Sequence, residues 1–158
     1  MNSASKNPVN NIKVNEKKWG RAVVNVGWTL VPNILLEKQS TLGISPIQLN
    51  IILIILKHWW HADDLPYPEM NTIAKSINVS RSTVQRNIRS LEQTGFITRI
   101  ERKLANGGNT SNKYDISKLI KILKPYADDE LIRREEAKKE KQKRLTARGN
   151  NPKLKVVQ

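Results

Sequence analysis

The stretch INVSRSTVQRNIRSLEQTGFITR, Ile77 to Arg99, threads a narrow apolar stripe through arginines and small polar residues. Val84, Ile88 and Leu91 are spaced i, i+4, i+7, which puts three side chains on one side of a helix. At about 100° per residue, Ser82, Arg86, Arg89 and Gln93 fall on the opposite side, with Gln85 on the flank. Ser80 is placed to cap a helix from Arg81 to Thr94, and Gly95 to end it in the left-handed conformation. Just upstream, Asn78 tolerates the left-handed backbone that the tight turn "NVS" needs.

The neighbouring segments fit around that helix. "EMNTIAKSI" predicts a short helix burying Met70, Ile73, Ala74 and Ile77, so that the seam of the capped helix packs on Ile73 and Ile77. Downstream, "FITRIERK", Phe96 to Lys103, has a strand pattern. "LANGGNT" is a hairpin tip in which Asn106, Gly107 and Gly108 allow close approach to another backbone. "SNKYDI" returns with Asn112, Tyr114 and Ile116 on one face and Lys113 and Asp115 on the other. Upstream, "SPIQ" is a capping box on Ser45 with Pro46 at the first helical position. It opens a helix to about Trp60 whose "LNIILIIL" is apolar nearly all round, as the middle of a core would be. "HADDLPYP" follows as a loop.

The flanks carry weaker signals. Residues 1–18 are polar and aperiodic and predict a disordered tail. Residues 19–32, "WGRAVVNVGWTLVP", predict an extended segment or short strand ended by Pro32, followed by a short helix "NILLEKQ" capped by Asn33. Ser117 is placed to cap "KLIKILK", with Pro125 as its stop. From Asp128 onward acids precede bases, and Glu135 with Lys139 and Glu140 with Arg144 lie one turn apart. With almost no apolar stripe beyond Ile132, that segment is a solvated helix or one that folds on a partner. The chain thus divides into a tail at 1–18, a domain at 19–126 and a charged helix or tail at 127–158.

A formal net charge of +14, from 28 Lys and Arg against 14 Asp and Glu, favours a polyanionic partner. The absence of cysteine excludes disulfides and thiolate metal sites. The longest aliphatic run, Ile51 to Leu56, is too short to span a bilayer, and the first 18 residues lack a signal-peptide core. These features point to a soluble, cytoplasmic, nucleoid-associated protein with no membrane partner. No phosphate-cradling glycine loop, paired carboxylate or nucleophile–His arrangement marks an enzyme, and no cofactor is implied. His58 and His61 in "HWWH" have metal-ligand spacing but lack companions, so they are assigned to a helix end rather than to a metal. Trp59 and Trp60 are assigned to core or domain-edge packing rather than to base stacking.

A helix of this kind fits the major groove of duplex DNA, where Arg and Gln make bidentate contacts to guanine and adenine edges. Arg86 and Arg89 are placed for that, while Ser80, Ser82 and Thr83 at the amino end suit phosphate oxygens. Arginines alone would describe only a solvated face; the turn, cap and hairpin in register give them a direction.

The stretch "TIAKSINVSRSTVQRNIRSLEQTGFITR" resembles the helix-turn-helix core of many bacterial winged-helix regulators. From Val31 to Leu119 the chain is similar to the helix-turn-helix domain of phage, plasmid and replication-associated proteins. The resemblance implies a mainly α fold, a three-helix core plus a β-hairpin wing, with an N-terminal extension and a charged C-terminal helix. It implies Ala74 at the tight helix crossing and DNA-facing residues Ser80, Arg81, Ser82, Gln85, Arg86 and Arg89; Asn78 stands where glycine is common. Arg99, Arg102, Lys103 and Lys113 on the wing would meet backbone or minor groove. The function expected is sequence-specific binding of double-stranded DNA by a transcriptional regulator. Origin binding in plasmid or phage replication and a protein-interaction adaptor stand as alternatives. A homodimer through "AVVNVGWTLV" and "KLIKIL", and a protein partner for the C-terminal tail, are also expected.

Overall fold

The computed structural model describes residues 8–102 and 110–149. Among them the elements run α1 Pro8–Trp19, α2 Arg21–Val26, α3 Asn33–Glu37, α4 Pro46–Lys57, α5 Met70–Ser76, α6 Arg81–Gln93, β1 Thr98–Ile100, β2 Lys113–Asp115 and α7 Ser117–Gly149. The hairpin tip with Asn106, Gly107 and Gly108, and Lys103, lie outside the described residues.

Helix α4 is the centre of the core. Its start is the expected capping box: Gln48 N donates to Ser45 Oγ at 3.3 Å, and Ser45 N donates to Gln48 Oε1 at 2.8 Å. Ile51, Ile52 and Ile55 are wholly buried. The helix ends at Lys57, short of the expected Trp60, because His58 leaves helical geometry as its C-cap. Gln48 is itself buried, and its Nε2 donates to Ser90 Oγ at 3.1 Å, so the start of α4 is tied to α6 by a satisfied polar contact.

Helices α5 and α6 meet through a pair of matched endings. After α5, Asn78 adopts φ +53°, Val79 N donates to Ala74 O and Asn78 N to Lys75 O. After α6, Gly95 adopts φ +75°, Phe96 N donates to Leu91 O at 2.9 Å and Gly95 N to Glu92 O at 3.0 Å. Both are Schellman endings, which satisfy the last carbonyls and turn the chain sharply. Val84, Ile88 and Leu91 are 0 % exposed against Ile73 and the core of α4. Each fully buried aliphatic side chain is worth about 1.5–3 kcal/mol, so this seam fixes which face of α6 turns outward.

The hairpin is antiparallel, pairing Thr98 with Asp115, Arg99 with Tyr114 and Ile100 with Lys113. Tyr114 is buried, and its N–H donates to Pro66 O at 2.8 Å, so the loop after α4 lies along the second edge of β2. Burial raises the Tyr114 phenol above its ordinary pKa, the nearby Arg99 opposing and Glu92 adding to the shift.

Several flank expectations are overturned. Residues 8–18 are helical rather than disordered, in α1. Residues 21–26 are helical rather than extended, in α2. Pro32, not Asn33, is the N-cap of α3. Pro125 does not stop α7, which runs through it. Proline removes the hydrogen bond to the carbonyl four residues back, that of Lys121; both residues are exposed, so water can take the freed carbonyl. At the start of α7 the Asp115 carboxylate accepts from Ser117 N at 2.8 Å and from Ser117 Oγ. These bonds, first the side-chain one, hold the Asp115 carboxyl below the usual range. Leu119 and Leu123 anchor the first turns, whereas the described side chains from Leu131 to Thr146 are exposed.

Candidate nucleic-acid interface

The outward face of α6 assembles the residues expected there. Ser82, Gln85, Arg86, Arg89, Ser90 and Gln93 line one open hollow along the helix. Arg81, Arg86 and Arg89 are exposed and, among the described residues, form no ion pair. Their guanidinium donors are therefore open to an outside acceptor.

The amino end of α6 is more internally committed than its sequence suggests. Ser80 Oγ accepts from Thr83 N at 3.1 Å as the N-cap. It also lies 2.8 Å from Ser82 Oγ and 2.9 Å from Thr83 Oγ1, so the hydroxyls form one cluster. The amides of Arg81 and Ser82 donate to no protein acceptor among the described residues, and they stand at the positive end of the helix dipole.

The wing cations are placed differently. Arg99 Nε lies 3.2 Å from Glu92 Oε1, which ties β1 to the last turn of α6. Lys113 Nζ donates to Asp64 Oδ1 at 3.0 Å, which ties β2 to the loop after α4. The Arg102 guanidinium stands over the Tyr67 ring at 4.7 Å from its centroid. Glu92, Asp64 and Tyr67 were not singled out from sequence, since no local spacing links them to partners 7, 49 and 35 residues away. These contacts brace the wing against the core.

The "HWWH" segment divides. Trp59 packs against the core, with its Nε1 buried and lacking an acceptor among the described residues. Trp60 is 76 % exposed, against the packing role expected. His58 and His61 border a hollow with Asp64 and Tyr67, and no cluster of three or more metal-ligating side chains occurs among the described residues. No helix among the described residues is long and apolar enough to cross a membrane.

Residues 42–97, from the turn before α4 through α6 to the start of the wing, match the helix-turn-helix domain family. The chain carries a winged helix-turn-helix domain. No curated protein matches the chain. The N-terminal domain of the DnaD protein from Geobacillus kaustophilus HTA426 shares the fold, with 22% identity and a TM-score of 0.51, over 78% of this chain and 96% of that one. Weaker likenesses are a possible transcriptional regulator from Methanosarcina mazei Go1 (20% identity, 68% and 85% of the two chains, TM-score 0.43) and the MepR–DNA complex of S. aureus (22%, 73% and 89%, 0.40). The winged helix-turn-helix domain places α5 as the supporting helix, α6 as the outward helix and β1–β2 as the wing.

Proposed function

We propose that this protein binds double-stranded DNA sequence-specifically and acts as a transcriptional regulator. In this reading α6 enters the major groove and the wing lies on the backbone or minor groove. The observation that carries it is the α6 face itself: unpaired Arg86 and Arg89 beside Gln85 and Gln93, opposite a wholly buried seam. Arg and Gln are the residue types that read guanine and adenine edges bidentately. Arg81 and the free amides at the start of α6 take phosphates, as do Ser82 and Thr83; Ser80 supports them through its cap. Arg99, Arg102, Lys103 and Lys113 supply the wing's charge, Lys113 sharing its own with Asp64.

The test is selection of bound duplexes from a random pool, followed by competition against scrambled duplex at several salt concentrations. A convergent motif is expected, with affinity falling steeply as salt rises, because each phosphate contact releases counterions. Enrichment of no motif together with a flat salt response would overturn the reading in favour of a protein-interaction adaptor. Where the motif maps, at a promoter or within iterated repeats at an origin, separates transcriptional control from replication.

A further inference from the structure

A hollow of about 380 Å³ opens where the loop after α4 meets the first turn of α5. Trp60 and Tyr67 bring aromatic rings to it, and His58, His61, Asp64 and Thr72 bring polar groups. No residue of α6 lines it, so it is distinct from the face assigned to the major groove. Three contacts hold it beside the wing. Tyr114 N donates to Pro66 O, Lys113 Nζ donates to Asp64 Oδ1, and the Arg102 guanidinium stands over the Tyr67 ring.

Three properties of the hollow define its ligand. The first is aromatic surface left facing water: Trp60 is 76 % and Tyr67 48 % exposed. Rings of this kind around a concave site are what a flat ring stacks on. The second is open hydrogen-bonding capacity. The imidazoles of His58 and His61 and the hydroxyl of Thr72 form no hydrogen bond among the described residues, so donors and acceptors remain for the edge of that ring. The third is charge. Asp64 is the one carboxylate on the lining, and Lys113 pairs with it. The hollow thus carries no unpaired acid, and the wing cations Arg102 and Lys113 stand at its edge. A flat ring with polar edges, carried on a polyanion, is a nucleobase on its strand. The volume, at the small end of the roughly 300–1,000 Å³ typical of ligand sites, suits a base rather than a larger group.

We propose that this hollow takes an unpaired base of a single DNA strand, stacked on Trp60 and Tyr67, with Arg102 and Lys113 on the flanking phosphates. A base within a duplex is stacked on both faces and cannot enter, so the hollow holds a strand that is open or has been opened. The wing side of the domain thereby gains a second activity, the capture of one strand beside the duplex that α6 reads. The proposal rests on the duplex reading only for the choice of DNA as partner. Its side chains are different ones, so the two readings fail separately.

The full chain is titrated with a labelled thymidine strand of about twelve nucleotides and with an abasic strand of the same length, read by fluorescence anisotropy. The two carry equal numbers of phosphates, so the ratio of their affinities reports base stacking rather than charge. The thymidine strand should bind more tightly. Trp60→Ala and Tyr67→Ala should each lower its affinity by about 5- to 150-fold and leave the abasic strand unchanged. Trp60→Phe, which keeps a ring, should restore most of the loss. Both rings are exposed, so the variants keep the wild-type melt. Arg86→Ala should leave the ratio unchanged, and Trp60→Ala should leave discrimination between specific and scrambled duplex unchanged. A strand carrying 5-bromouracil, irradiated on the protein, should cross-link to the peptide that holds Trp60 or Tyr67. Equal binding of the two strands, a wild-type ratio in Trp60→Ala, or a cross-link confined to α6 each overturns the proposal. So does an equal loss of both strands in Trp60→Ala, which would make the tryptophan a structural support. If no duplex motif emerges while Trp60→Ala still lowers the ratio, the duplex reading fails and this one stands.

Discussion

Helix α6 and the distal half of α7 are built from similar side chains and hold them in opposite ways. On α6, Val84, Ile88 and Leu91 are buried, so Arg86 and Arg89 are aimed in one fixed direction with no carboxylate within reach among the described residues. On α7 beyond Glu130 the described side chains are exposed, and acids at helical spacing pair with Arg133, Arg134, Lys138 and Arg144, whereas Lys139, Lys141 and Lys143 form no ion pair among the described residues. Glu130 binds Arg134 at 2.7 Å as well as Arg133, Glu135 binds Lys138 at 2.9 Å, and Glu140 binds Arg144 at 3.2 Å. The Glu130 and Glu135 carboxyls are held below their ordinary range by hydrogen bonds from Arg134 and from Lys138 respectively. Positive charge acquires a fixed direction where a buried seam orients it and no carboxylate pairs with it; on the distal half of α7 it is solvated and partly paired.

The most severe way to break the contrast is Val84→Asp. It buries an unpaired charge in the seam and should cost more than about 4 kcal/mol, abolishing binding through loss of the fold. A thermal melt checks it; a native melt would mean the seam does not orient α6. Next in size, Arg86→Ala should cost about 1–3 kcal/mol on the preferred duplex and relax discrimination, with Arg89→Ala similar. Replacing Arg133, Arg134 and Arg144 together by Ala should leave the discrimination ratio unchanged, because those residues face no base. Lys113→Ala should weaken all duplexes evenly and lower the salt slope by less than one unit, since Asp64 already shares that charge. Competition binding with specific and scrambled duplexes measures all of these.

A smaller effect compares how the two helices start. Ser80 caps α6 and Asp115 holds the start of α7. Asp115→Ala should cost about 1 kcal/mol at neutral pH, as loss of a cap does. The folded pKa of Asp115 is lowered, so its contribution is complete above the unfolded carboxylate value near ~3.9 and disappears as pH falls through the folded one. Chemical denaturation of both proteins should therefore give stabilities that converge in acid. A gap that persists below the folded value would mean the aspartate acts by packing. Smallest of all, deleting residues 133–158 should leave the domain's melt unchanged, because the described side chains there bury nothing.

The parts of the chain legible from sequence are those whose signals are local. Ser45 with Gln48, Ser80, Asn78 and Gly95 each satisfy or terminate a helix through neighbours a few residues away, and the structure realises each. The seam of α6 was legible because its period survives intact. Helix α1 has no such period: its apolar Ile12, Val14 and Trp19 remain 45, 49 and 69 % exposed, and nothing in their spacing marks a buried face. Helix α2 is rich in valine, which favours strands, yet the segment finds no strand to pair with and coils between Gly20 and Gly27. The expected Glu135–Lys139 pair is replaced by Glu135–Lys138, since i+3 and i+4 are both within reach on a helix. On the candidate site, the α6 row was legible, whereas the bracing of Arg99, Arg102 and Lys113 depends on which loops the fold brings alongside the wing.

The proline within α7 gives this small domain a long lever. From Pro125 to Gly149 the helix extends about 36 Å at 1.5 Å per residue; Leu119 and Leu123 anchor it on the near side of the proline, and beyond it Tyr126 lies under Lys38 and Arg134 reaches Glu37 of α3. One rung of the hydrogen-bond ladder is missing at the fulcrum. A tilt of about 10° there, once the contacts of Tyr126 and Arg134 open, sweeps the far end through about 6 Å, more than one helical turn's rise. Whatever meets the charged end of α7 is thus held at a distance set by a stiff rod and at an angle set by the proline together with the grip of Lys38 and Glu37 on the turns that follow it.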